Sequence, residues 1–152
     1  MSLPKTNRIS SQFNLISALA ALIVGGLIYL FARPVEPLFF RWFVFLSAEN
    51  WLTSVRQLTV PFFYNVIPDW ILFSLPAGLW AFAYSIVIIL IWKNSNSILK
   101  YLWFTTIPLI VLGVEFFQYL KIINGAFCRI DLAFGLAGIF AGYLVGYKQI
   151  KT

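Results

Sequence analysis

Four polar side chains late in the chain, Glu115, Gln118, Arg129 and Asp131, have types and spacings from which a binding pocket or an acid–base pair could be built. Glu115 and Gln118 stand three residues apart, so on a helix they share a face. Arg129 stands near the end of a short hinge, Lys121 to Ile130, and Asp131 directly follows it. A guanidinium can fork onto phosphate or carboxylate, and a carboxylate can act as general base or hold a cation. An acid inside an apolar run is costly unless protonated or paired, so Glu115 should point inward. Asp131 stands where a helix N-cap belongs, which is a purely structural reading. Arg129 could pair with Glu115 or Asp131, or snorkel to headgroup phosphates. The four are read either as a structural polar cluster or as a candidate pocket.

What the chain lacks narrows the chemistry. It has no histidine and a single cysteine, Cys128. Serine–histidine and cysteine–histidine nucleophile pairs are therefore absent, as are the usual zinc and haem ligand sets. No metal and no cofactor is expected, and a non-catalytic role is favoured over an enzyme. Cys128 beside Arg129 has the neighbour that activates a thiolate, yet without a histidine it reads as an ordinary hinge cysteine.

The elements that must position these residues are set by composition. Of 152 residues, 61% are hydrophobic, 19% aromatic and only 11% charged, more apolar surface than a globule of this length can hide. A bilayer must supply the missing interior. The net charge of +6 is scattered through the termini and connections, not gathered into the basic stripe that nucleic-acid binding requires. Membrane lipids are the expected anionic partner.

The apolar run from Phe13 to Phe31 matches a hydrocarbon core of roughly 30 Å at about 1.5 Å per residue. Lys5 and Arg8 precede it, as in a signal peptide, but the run exceeds a signal core and no small-x-small site follows. It is read as a first span, with Gly25 and Gly26 admitting a neighbouring helix. Further spans are expected over 75–92, 100–120 and 131–147, with Pro76 in a first helical turn and Pro108 kinking the third. Lys93 to Ser97 reads as a tight turn with capping side chains. The connection 32–73 holds an apolar piece, Leu38 to Leu46, too short to cross the membrane and so interfacial or re-entrant. It also holds an amphipathic helix over about 50–60, ended before Pro61. Its expected apolar side is Trp51, Leu52, Val55, Leu58, Phe62 and Phe63, opposite Thr53, Ser54, Arg56 and Gln57. The fold class is all-α, a polytopic transmembrane bundle of four spans plus an interfacial helix, in one membrane domain.

In the last span Gly135, Gly138, Gly142 and Gly146 are three, four and four apart and line one side of a helix. Such small-residue spacing lets backbones meet closely, a glycine zipper packing on span one or three, or joining a homodimer or another membrane subunit. Four spans put both termini on one side. The tails and the 93–100 turn carry Lys5, Arg8, Lys93, Lys100, Lys148 and Lys151 without an acid, which places the termini in the cytoplasm.

Glu115-x-x-Gln118, then Gly125-x-Phe127-x-x-x-Asp131 and Gly135-x-x-Gly138, resembles the C-terminal half of the VanZ-like family of small bacterial membrane proteins. Ala126 follows Gly125 where family hinges often carry arginine, here at Arg129. The resemblance implies a multi-pass protein of the bacterial inner membrane. On this reading the outward cluster binds a lipid headgroup or an envelope precursor. The alternatives are a structural subunit of a larger membrane complex, and an intramembrane enzyme on a lipid-linked substrate with Glu115 or Asp131 as base and Arg129 holding phosphate. Transport is weaker, with a single deeply placed acid and no evident inverted repeat.

Overall fold

The computed structural model describes residues 5–34 and 49–147, with side chains described over 11–34 and 50–147. The described residues form helices α1 (Lys5–Phe31), α2 (Glu49–Val66), α3 (Asp69–Phe73), α4 (Leu75–Trp92), α5 (Leu99–Tyr119) and α6 (Arg129–Tyr147). The architecture is all-α. The stretches Ser11–Phe31, Asp69–Trp92, Leu99–Tyr119 and Arg129–Tyr147 are each long and apolar enough to cross a membrane, so the chain is a multi-pass membrane protein. The second stretch starts earlier than residue 75, because α3 leads into α4 across Ser74. The apolar piece Leu38 to Leu46 lies outside the described residues.

The second span is the hub. Half of it is buried inside the protein, against 6% of the third. α4 packs most extensively on α6, then on α1, and also meets α5. Small residues explain the α4–α6 pair. A Cβ at Gly138 would collide with the Gly78 carbonyl, one at Gly142 would lie 2.7 Å from the Phe82 oxygen, and one at Gly78 2.8 Å from the Phe134 oxygen. The last-span glycines therefore pack mainly on span two, not on span one or three as their spacing suggested. Gly78 is the reason: α4 offers its own small residue at the crossing, so the two backbones can close on each other. Gly135 alone reaches span three, where its Cβ would lie 2.6 Å from Val111. Of the α1 pair, Gly25 lies against Trp80 and Pro76 while Gly26 faces open space.

Polar bonds fasten the two ends. At the terminal end, Asn14 Nδ2 donates to the Val145 carbonyl at 3.2 Å and Lys93 Nζ to Ser11 Oγ at 3.3 Å. These bonds bring the start of the first span, the end of the last and the α4–α5 turn to one side. In that turn Ser95 Oγ accepts from Ser97 N and Ser97 Oγ from Leu99 N, while the N-cap position of α5 falls on Ile98, which makes no side-chain cap bond.

At the opposite end α2 clamps the C-terminus of α1. Arg56 donates to the Leu30 and Arg33 carbonyls and Thr59 to the Phe31 carbonyl, oxygens that lack intrahelical donors. The face of α2 toward the protein thus carries Leu52, 0% exposed, and Arg56, 8% exposed, whereas Trp51, Leu58 and Phe62 point away. This corrects the apolar–polar division read from the sequence, since α1 presents carbonyls as well as methyl groups. The helix also runs through Pro61 to Val66 instead of ending before the proline. A proline removes one donor but keeps a helical φ, and the turns continue to Ile67 N on Phe63 O at 2.8 Å.

Candidate polar groove

A cavity of about 660 Å³ opens between α1, α4 and α5 at the end opposite the termini. One end gathers Arg33, Glu115, Gln118 and Asp131. Leu22, Ala81, Tyr84, Val87, Ile107 and Val111 line the rest. Span one and span three both lean on span two, which forms the floor.

Glu115 points inward and is 7% exposed. Its Oε2 accepts the backbone N–H of Cys128 at 3.0 Å, pinning the hinge to α5. The hinge can return because α5 ends in a Schellman turn: Lys121 N bonds Gln118 O at 3.0 Å and Ile122 N bonds Phe117 O at 2.9 Å, with Lys121 at φ 57°. Gly125, at φ 131°, then passes so close to the Gln118 amide that a Cβ there would collide with it. The Gln118 Oε1 is buried with no hydrogen-bond partner among the described residues.

Asp131 lies in the first turn of α6, not at its N-cap, because the helix starts at Arg129 and Leu132 N already bonds Cys128 O at 3.2 Å. Glu115 holds Cys128 and so lets the helix begin early. The carboxylate is free to reach across to α4, where Oδ1 accepts from Ser74 Oγ at 2.5 Å.

Arg129 is exposed, makes no ion pair with Glu115 or Asp131 among the described residues, and does not line the groove. Arg33 stands there instead. Its Nε donates to the Leu72 carbonyl at 2.9 Å and its Nη2 to the Phe73 carbonyl at 2.5 Å. The guanidinium lies 4.5 Å from the Tyr29 ring centre and 5.0 Å from that of Phe73. Leu72 O is open to it because the normal donor four residues on would be Pro76, which has no N–H. Burial pushes the Arg33 pKa down, while Tyr29 and Asp131 push it up. The available sequence signal was its place directly after the first apolar run, before Pro34, at the depth where span three ends and span four begins.

The groove end thus sets one guanidinium with spare donors against two carboxylates and an amide oxygen, above apolar walls. That arrangement suits a headgroup carrying a phosphate and hydrogen-bond donors. Nucleophilic attack by Ser74 is blocked, because the residue is 1% exposed. Among the described residues no group of three His, Cys, Asp or Glu side chains could hold a metal ion. Compared with known proteins, the chain matches no family model, no curated protein and no solved structure.

Proposed function

We propose that this chain is a VanZ-like multi-pass protein of the bacterial inner membrane, accessory rather than catalytic, that holds a lipid headgroup or lipid-linked envelope precursor in the Arg33 groove. Its termini lie in the cytoplasm and the groove end faces outward. The observation that carries the reading is the groove itself: charged and amide groups from the end of α1, from α5 and from α6 meet at one end of a cavity whose other walls are apolar. An amphiphile has that same division. The residues of the VanZ resemblance support it, since Glu115, Gln118, Gly125 and Asp131 all stand at this end. Arg33 has donors left after its two carbonyl bonds and takes the phosphate, while Glu115 and Asp131 take hydroxyl or amino donors.

The test is lipid identification by native mass spectrometry on protein purified in mild detergent, wild type beside Arg33→Gln, Glu115→Gln, Asp131→Asn and Arg129→Gln. Bound amphiphile should fall about tenfold in the first three variants, the scale of one lost charge-assisted bond, and persist in Arg129→Gln. Retention indifferent to Arg33, Glu115 and Asp131 in folded protein overturns the reading. A stoichiometric protein partner seated over the groove would favour the membrane-subunit alternative instead.

A further inference from the structure

A second cavity, about 750 Å³, lies at the opposite end of the molecule between α4, α5 and α6. Its rim carries Lys93 and Lys100. Lys93 closes α4 and spends one donor on Ser11 Oγ at 3.3 Å; Lys100, in the first turn of α5, spends one on the Ser95 carbonyl at 3.3 Å. An ammonium has three donors, so each keeps two. Lys100 also lies 5.1 Å from the Tyr101 ring centre. None of the described acidic residues lines this cavity, so among the described residues two like charges share a rim without a protein counter-charge.

Below the rim the walls are apolar: Ile89, Phe104, Phe140 and Leu144, with Pro108 at depth. The rise from Lys100 to Pro108 is about 12 Å along the helix. A proline in a wall would normally leave an unpaired carbonyl facing the cavity. The Tyr143 hydroxyl donates to that carbonyl, Phe104 O, so the wall is closed to hydrogen bonding and suits hydrocarbon better than water.

We propose that this groove binds an anionic phospholipid, with its phosphate between Lys93 and Lys100 and one acyl chain along Phe104, Phe140 and Leu144. The charge is complementary and the apolar depth selects a lipid over a free anion. The site is separate from the Arg33 groove and differs in chemistry, because that end carries carboxylates and this one carries none among its described lining.

The experiment uses purified full-length protein in mild detergent with added phosphatidylglycerol, phosphatidylcholine or inorganic phosphate, read by native mass spectrometry. Wild type should prefer phosphatidylglycerol over phosphatidylcholine by roughly twenty-five-fold, about fivefold for each lysine. Lys100→Gln should reduce the preference about fivefold, and Lys93→Gln with Lys100→Gln should abolish it. Both lysines lie at the surface rim, so size-exclusion behaviour should be unchanged. Thr105→Trp, which sets a bulky ring in the wall where the acyl chain would lie, should lose the lipid with both lysines intact. Equal retention of the two lipids by wild type overturns the proposal, as does a preference that survives the double lysine variant. Full retention in Thr105→Trp, or displacement by millimolar phosphate, would show a bare anion site with no chain in the groove and would also overturn it.

Discussion

The Tyr143 hydroxyl of α6 donates to the Phe104 carbonyl of α5, the oxygen that Pro108, four residues on, cannot serve. The third span therefore passes the proline without leaving that acceptor orphaned, and α5 remains one helix through it. Phe104 and Tyr143 also meet ring to ring at 6.2 Å. Replacing Tyr143 with Phe keeps the ring and removes the donor, and should cost about 1 kcal/mol, the scale of interhelical bonds in bilayers. Pro108→Ala restores the N–H and should shrink that cost to near zero. Unfolding in mixed detergent, run as a double-mutant cycle, checks the pair; an unchanged cost in the alanine background would break the link.

Gly138 and Gly26 are both glycines within spans, yet they should respond oppositely to alanine. A Cβ at Gly138 runs into the Gly78 backbone, which cannot swing away as a side chain can, whereas Gly26 has nothing within 4 Å. Gly138→Ala should lose about 1–3 kcal/mol through overpacking. Gly26→Ala should be neutral or slightly stabilising, as alanine is the better helix former. Thermal aggregation midpoints of the two variants give the comparison, and similar midpoints would argue against backbone contact between α4 and α6.

Arg56 is the clamp between α2 and the end of α1. Arg56→Met keeps much of the stem but leaves the Leu30 and Arg33 carbonyls without these donors. A loss of about 2–3 kcal/mol is expected, from two bonds to a charged donor. Limited proteolysis should show cleavage appearing between residues 49 and 66 before the spans open. If α2 stays as protected as in wild type, the clamp is not what holds it.

Both ends of the described chain meet at one side, with Asn14 bonded to Val145 and Lys93 to Ser11. Reporter fusions after Thr152 and within Asn94 to Asn96 should give the same compartment. On the proposed topology that compartment is the cytoplasm. Opposite reports from the two sites contradict the four-span arrangement, and matching reports from outside reverse only the orientation.

Hydropathy is a local property, and so the four crossings and their helical class could be read directly from the runs of apolar residues. The helix face shared by Glu115 and Gln118 was equally legible, because three-residue spacing fixes it within one element. The Lys93 to Ser97 turn was visible for the same reason: its serine hydroxyls bond backbone N–H groups two residues away.

Which elements meet is another kind of question. Arg129 is close to Asp131 in sequence but turns outward, while Arg33 reaches the groove because Pro76 exposes a carbonyl that the end of α1 can bind. The glycines of α6 settle on span two because Gly78 answers them across the crossing. The sequence by itself determined where the helices run and which could cross a membrane. Only the tertiary structure decided which arginine, which serine and which glycine met, since those choices depend on unpaired carbonyls and backbone gaps that exist only once the spans are packed.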